Sequence, residues 1–136
     1  MSKVLVTGSA GFVGSYVVRQ LINKGYTVCL LLRASSDLRR IEDILDKCAV
    51  IYGDLCNLDD IEGEVVKFRP TTVMHLAWGG VKGASRNDSS QMDNVISSIN
   101  FFRLVERSGC EHFIGLGSQA EYGLLSGRIS ETANKN

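Results

Sequence analysis

The sequence predicts an α/β fold in which a doubly wound, all-parallel sheet carries helices on both faces. Three observations predict it. Apolar runs of strand length alternate with segments whose apolar residues recur at helical spacing. The first run, Val4-Leu5-Val6, leads into Gly8, Gly11 and Gly14 and then into Val13, Val17, Val18, Leu21 and Ile22 at helical intervals. The second run, Tyr26 to Leu32, is apolar almost throughout, as a parallel strand covered on both faces requires.

The first corner therefore reads as strand, tight glycine turn and helix. Gly8 can take a turn that a side chain forbids. Gly11 leaves room for a pyrophosphate to approach the backbone, and Gly14 lets the helix pack closely on its strand. Such a corner presents backbone N–H groups and the positive end of a helix to a phosphate. The plain alternative is a tight turn that holds nothing.

Asn23-Lys24-Gly25 supplies a C-capping glycine. After the second strand, Ser35-Ser36-Asp37 offers capping oxygens for a short helix striped by Leu38, Ile41 and Leu45. Cys48 to Tyr52 is the third strand, ended by Gly53-Asp54-Leu55. Asn57 is placed to cap the next helix, which buries Leu58, Ile61, Val65 and Phe68, and Pro70 closes the connection. Thr72 to Leu76 is the fourth strand, and the polar, glycine-rich stretch from Ala77 to Asn87 is a loop. A long amphipathic helix follows, with Met92, Val95, Ile96, Ile99, Phe102 and Val105 at helical spacing, ended by Ser108-Gly109. His112 to Leu116 is the fifth strand. Right-handed crossovers then give strand order 3-2-1-4-5, with the ligand crevice where the order reverses, between the carboxyl ends of strands one and four. The expected division is a nucleotide-binding domain over 1–123 and a loop or disordered tail over 124–136.

Composition narrows the partners. Fifteen basic and fifteen acidic residues cancel, which argues against an electrostatic nucleic-acid or membrane-surface binder. No apolar run approaches the roughly 20 residues of a membrane span. The start passes straight into the first strand, so no signal peptide is expected. The cysteines, Cys29, Cys48, Cys56 and Cys110, form no C-x-x-C pair and make no zinc spacing with His75 and His112. Reduced thiols in a cytoplasmic protein are the simple reading, and no metal is expected.

The end of the second strand carries information about the cofactor. A carboxylate about 20 residues past the glycines holds the ribose 2′-hydroxyl in NAD-binding folds. Here the strand ends in Leu32-Arg33. An arginine there would pair with a 2′-phosphate through charge-assisted hydrogen bonds, which favours NADP with NAD still possible. Ser35 or Ser36 could add a hydroxyl. The alternative is a solvated arginine with NAD bound regardless.

The spacing T-G-x-x-G-x-x-G from Thr7 to Gly14 resembles the extended short-chain dehydrogenase/reductase superfamily, the NAD(P)-dependent nucleotide-sugar epimerases, dehydratases and reductases. The resemblance implies a Rossmann fold, with Gly8, Gly11, Phe12, Val13 and Gly14 at the cofactor. Gly53-Asp54-Leu55 resembles the G-D-L/V motif, which implies that Asp54 accepts from the adenine amino group and Leu55 lines the adenine pocket. A turn-forming aspartate is the alternative. His75-Leu76-Ala77-Trp78 resembles the H-L-A-A motif, in which Leu76 and Ala77 let backbone lie close to the ribose and nicotinamide. His75 reads as a packed histidine and not a base. Trp78 departs from the usual alanine, and would narrow the pocket, stack on a substrate ring or simply pack. Asn94-Val95 resembles the helix motif whose asparagine fixes backbone near the active site, often through water.

Gly115-Leu116-Gly117-Ser118-Gln119-Ala120-Glu121-Tyr122-Gly123 is similar to the S-x-x-x-Y-G segment. The match implies that Ser118 is the catalytic serine, hydrogen-bonding the substrate oxygen, and that Tyr122 is not the catalytic tyrosine. Sugar dehydratases of the superfamily place Asp-Glu after that serine or threonine. Gln119 and Ala120 stand there, so a dehydratase is disfavoured. The wording is most similar to nucleotide-sugar 4-reductases of the CDP-abequose synthase kind and related epimerases. The superfamily's Tyr-x-x-x-Lys acid/base does not occur before Asn136, although Ile129-Ser130-Glu131-Thr132 resembles the segment that leads into it. The chain is thus expected to be the N-terminal, cofactor-binding portion of an oxidoreductase or epimerase, inactive alone. A nucleotide sugar would be the whole enzyme's substrate. Superfamily dimers pack the long helix around Asn94 on a partner, so a homodimer is possible. Two other readings stay open, a non-catalytic NAD(P)-binding regulatory module and a methyltransferase. Leu32-Arg33 speaks against the second.

Overall fold

The computed structural model describes residues 2–81, 83–123 and 127–132. Its frame is set by β1 (Lys3–Thr7), whose last four residues are buried. Strand β1 lies between β2 (Thr27–Leu32) and β4 (Thr72–His75), parallel to both. Outside these run β3 (Ala49–Tyr52) and β5 (His112–Gly115), so the order is β3-β2-β1-β4-β5. The expected strand order and parallel sense hold. The order reverses between β1 and β4, and that opens a crevice at their carboxyl ends.

Side chains alternate across the sheet and feed two separate cores. Val4, Val6, Val28, Leu30 and Leu32 pack under α1 (Phe12–Asn23), through Val18, with Ile41 and Ile44. Leu5, Cys29, Leu31, Ile51 and Val73 pack under α2 (Asp59–Phe68) and α3 (Gln91–Arg107), through Ile61, Val65, Phe101, Leu104 and Val105. Cys29 is a buried apolar residue, and burial pushes its thiol up to about 12. Helix α1 ends as expected: Gly25 has φ +79°, and its N–H returns to the Ile22 carbonyl at 2.9 Å. Helix α2 stops at Arg69, whose φ of 54° precedes Pro70, a residue that excludes helix at the position before it.

Several local expectations are corrected. The segment after β2 forms no α-helix: a turn leads into a 3-10 helix, Glu42–Lys47, which buries Ile44, with Ile41 buried just before it. Ser36 is used one step earlier, in a tight turn where its Oγ accepts from Arg33 N at 3.0 Å. Asn57 does not cap α2, because its Nδ2 donates to Asp60 Oδ2 at 2.6 Å instead. Three acidic residues, Asp59, Asp60 and Glu62, offset the dipole of α2. The loop after β4 contains a 3-10 helix, Gly83–Asn87, and another, Gln119–Tyr122, follows β5. In the tail, 127–132 hold no helix or strand, while 124–126 and 133–136 lie outside the described residues.

Helix α3 forms as expected, and the structure adds which of its sides is buried. Of the periodic apolar positions, only Val105 is buried. Met92, Val95, Ile96, Ile99 and Phe102 line an exposed face, and the sheet instead meets Ser97, Phe101, Leu104 and Val105. The helix has two apolar sides, and spacing alone does not say which one the sheet takes. Beyond α1, the same face of β4 and β5 is open, so Ile114 and Leu116 are 48% and 60% exposed.

Candidate functional site

The crevice begins at the turn out of β1. Gly8 takes φ +67°, and a Cβ there would lie 2.7 Å from the Ala77 nitrogen. Gly8 thus serves the turn and also lets the chain leaving β4 lie against it. Gly11 N–H closes the turn on the Gly8 carbonyl at 3.1 Å, and a Cβ on Gly11 would sit 3.1 Å from the same oxygen. A Cβ on Gly14 would overlap that oxygen outright, which is the close helix packing expected of this position. Phe12 and Val13 stand exposed at the head of α1, and the Phe12 ring stacks edge-on against Tyr16 at 5.7 Å.

The corner fits an anion by its own chemistry. Gly11 caps α1 with no side-chain hydrogen bond, and no acidic residue lies in the first turn. The leading amides and the positive helix end are left without a compensating group. Beside them Ser9 is fully buried, with no hydrogen-bond partner for its Oγ. A buried hydroxyl without a partner costs about 1–3 kcal/mol, so this corner carries unspent hydrogen-bonding capacity.

The exit from β4 is held by side chains from three elements. Thr7 Oγ1 accepts from Leu76 N and Ala77 N, each at 3.2 Å. His75 is buried, contacts Thr7 Oγ1 through Nδ1 and Ser98 Oγ through Nε2, both at 2.9 Å, and burial holds its pKa down. It is the packed histidine expected. Asn94 grips Gly79 directly, its Oδ1 accepting from the N–H at 2.8 Å and its Nδ2 donating to the carbonyl at 3.1 Å. No water is needed for that grip. Gln91 Oε1 accepts from the Trp78 indole at 2.7 Å, while its Nε2 donates to the Ser85 carbonyl at 2.8 Å. Trp78 is thereby fixed in orientation with half its surface exposed.

The remaining candidates line the same carboxyl edge. Arg33 is exposed at the end of β2. Gly53 N–H pairs with the Leu32 carbonyl at 2.9 Å, which sets Asp54 beside that end. Asp54 Oδ1 accepts from Cys56 N at 2.9 Å, so one of its oxygens forms a turn. Leu55 packs half-buried against the core under α2. Leu116 N–H reaches the His75 carbonyl at 3.2 Å, and Ser118 follows two residues later, exposed. The structure thus brings the glycine corner, Leu76 to Trp78 and Asn94 into one crevice. Arg33 with Asp54 lies on one side of it and Ser118 on the other.

Thr7, Ser9, Gln91 and Ser98 escaped the sequence reading. Gln91, Asn94 and Ser98 are spaced as one helix face, a signal present in the sequence but overshadowed by the apolar period. Among the described residues, no group of three or more His, Cys, Asp or Glu could hold a metal ion, and no helix is long and apolar enough to cross a membrane.

Comparison with known proteins agrees with this geometry. The chain is 30% identical over 132 residues to UDP-glucose 4-epimerase of Pisum sativum, covering 89% of this chain and 38% of that protein. It is 28% identical over 126 residues to dTDP-6-deoxy-L-talose 4-dehydrogenase (NAD(+)) of Aggregatibacter actinomycetemcomitans, covering 93% and 45%. The fold is that of the UDP-Glc/GlcNAc 4-epimerase from Campylobacter jejuni, with TM-score 0.86 and 23% identity over all of this chain and 43% of that one. The chain therefore spans less than half the length of these relatives. The model of the NAD dependent epimerase/dehydratase family matches residues 4–136, and the chain belongs to that family.

Proposed function

We propose that this chain is the cofactor-binding portion of an NADP-dependent reductase or epimerase acting at a sugar carbon of a nucleotide sugar. The observation that carries the reading is the α1 corner. Its helix end has no capping side chain and no carboxylate, and three glycines leave it open toward the crevice. Gly8, Gly11, Phe12, Val13 and Gly14 would hold the diphosphate. Asp54 and Leu55 would meet the adenine. Leu76, Ala77 and Trp78, backed by Asn94, would form the floor under the ribose and nicotinamide.

Arg33 supports the finer choice of NADP. It is exposed, belongs to no ion pair among the described residues, and ends the strand where a carboxylate would repel a 2′-phosphate. The 4-dehydrogenase relative carries NAD(+) in its name, so this chain departs from it in preference. Ser36 would add a ligand, because its Oγ accepts from Arg33 N and thereby sits beside Arg33 with its own hydrogen left to donate to the phosphate. The nicotinamide, when bound, exchanges hydride with the substrate carbon. Ser118 then orients the substrate oxygen by donating its hydroxyl proton in a hydrogen bond, and the proton itself moves through a group outside this chain. The relatives' names supply the substrate class, a nucleoside-diphosphate sugar.

The exposed apolar face of α3 completes the proposal. Met92, Ile96, Ile99 and Phe102 form a continuous strip that a second copy of the chain would cover. Ile99→Glu should then turn a dimer into a monomer by light scattering, with nucleotide affinity kept. A dimer that survives the substitution would place the contact elsewhere.

Trp78 is the chain's one tryptophan and stands beside Ala77 at the crevice, so it reports on binding. Titration with NADPH and NADH should quench its fluorescence saturably, NADPH at lower concentration. Absence of saturable quenching, together with no heat of binding for either nucleotide, would overturn the reading.

A further inference from the structure

We infer that His75 is a positioning residue, locked as the Nε2–H tautomer, which holds the floor of the crevice through Thr7. This inference rests on the proposed nucleotide site. It follows from counting protons around one hydroxyl.

A threonine hydroxyl has one hydrogen and two acceptor lone pairs. Thr7 Oγ1 accepts from both Leu76 N and Ala77 N, so its lone pairs are used. Its hydrogen must then point at its third neighbour, His75 Nδ1, at 2.9 Å. Nδ1 is therefore the acceptor, and the neutral ring carries its proton on Nε2. That proton faces Ser98 Oγ at 2.9 Å. Ser98 passes its own hydrogen to the Asn94 carbonyl at 2.6 Å. Every hydrogen has one place, and the chain runs in a single direction from the amides behind β4 to the first turns of α3.

The surroundings exclude the alternative. From α3 and β5, the groups facing the ring besides Ser98 are Phe101 and Phe113, each 5.7 Å away. Among the described residues, no carboxylate stands there to support a charged imidazole. A proton on Nδ1 would meet a hydroxyl whose lone pairs are taken, and would displace either Ala77 N or Leu76 N, of which Leu76 N alone also reaches the Thr7 carbonyl, at 3.3 Å. Those amides cannot shift freely, because Ala77 N lies against Gly8 at the turn that heads α1. The imidazole thus sets the height of the crevice floor without reaching into it.

The test uses paired variants of the chain. Thr7→Val removes the hydroxyl at constant shape, and Thr7→Ser restores it. NADPH affinity should fall about tenfold in the first and return to within about twofold of wild type in the second, the scale of one lost buried acceptor. His75→Asn keeps an acceptor near Nδ1, and His75→Gln keeps a donor near Nε2. Asn should retain more affinity than Gln, since the Thr7 side carries the effect. Independently of any nucleotide, the imidazole ¹⁵N shifts of wild type should show an unprotonated Nδ1 and a protonated Nε2. A protonated Nδ1, equal affinities for Thr7→Val and Thr7→Ser, or Gln matching or exceeding Asn would each overturn the inference. If Thr7→Val does not fold, by circular dichroism, the histidine pair and the ring spectrum decide. Wild type that binds neither nucleotide overturns the site reading and the positioning role together, while the ring spectrum still separates that failure from a wrong tautomer.

Discussion

Two corners at the same edge of the sheet are built very differently. Where β1 ends, Thr7 and Ser9 are buried, Gly8 touches the chain leaving β4, and Gly14 leaves no space for a methyl group. Where β5 ends, Leu116, Gly117 and Ser118 are all exposed, and an added Cβ at Gly117 meets nothing within 4 Å. Strand β1 is paired on both sides, β5 on one side only among the described residues. The comparison teaches where rigidity resides. The floor and the phosphate corner are held by packing that this chain supplies itself, whereas the serine corner takes its geometry from a strand held along one edge. The chain spans 38% of the pea epimerase, and the groups that would frame a sugar beside Ser118 belong, in our proposal, to the remainder of a longer protein.

The contrast can be broken or sharpened by substitution. Gly14→Ala should have the largest effect, because its methyl would overlap the Gly8 carbonyl, backbone that cannot swing aside. A loss of about 1–3 kcal/mol in thermal melts, with nucleotide binding abolished, is expected. Normal melting and normal affinity would show that the corner is looser than its geometry says. Arg33→Asp comes next. It should weaken NADPH by about tenfold and spare NADH, the scale of a lost charge-assisted contact. Equal losses for both nucleotides would remove Arg33 from the 2′-phosphate.

Gly63 is the internal control for Gly14. It too lies within a helix, but a Cβ there meets nothing within 4 Å. Gly63→Ala should therefore stabilise, by about 0.4–1 kcal/mol, through a less flexible unfolded chain. A loss at Gly63 would mean that any alanine harms these helices and would void the Gly14 argument. Ser118→Ala should do least. Nucleotide affinity of this chain should stay within about twofold, while turnover of a complete enzyme should fall at least about tenfold, as when one positioned donor is lost. A large drop in nucleotide affinity would put Ser118 in the cofactor site, and unchanged turnover would remove its catalytic role.

How much of this was legible depended on whether the signal was local. Gly8 and Gly25 were readable because only glycine enters their backbone conformations cheaply, and both take positive φ. Val18, Ile61 and Val65 were readable as core from their spacing. Which side of helix α3 meets the sheet was not legible, because Met92, Val95, Ile96, Ile99 and Phe102 have that same periodicity and yet face outward. Asn94 was found through its motif, but Gln91 and Ser98, which share its face, had no motif to mark them. Asn57 had the composition of a cap and spent its amide on Asp60 instead.

The sequence by itself determined the alternation of strands and helices, the parallel sheet, its strand order and the glycine turn that opens α1. Each depends on residues close in the chain, on backbone freedom and on the period of apolar side chains. Only the tertiary structure decided which side of α3 meets the sheet and how the protons run through Thr7, His75 and Ser98. Thr7 and His75 are 68 residues apart, and a hydrogen's position on a ring is set by the partners that folding delivers to it.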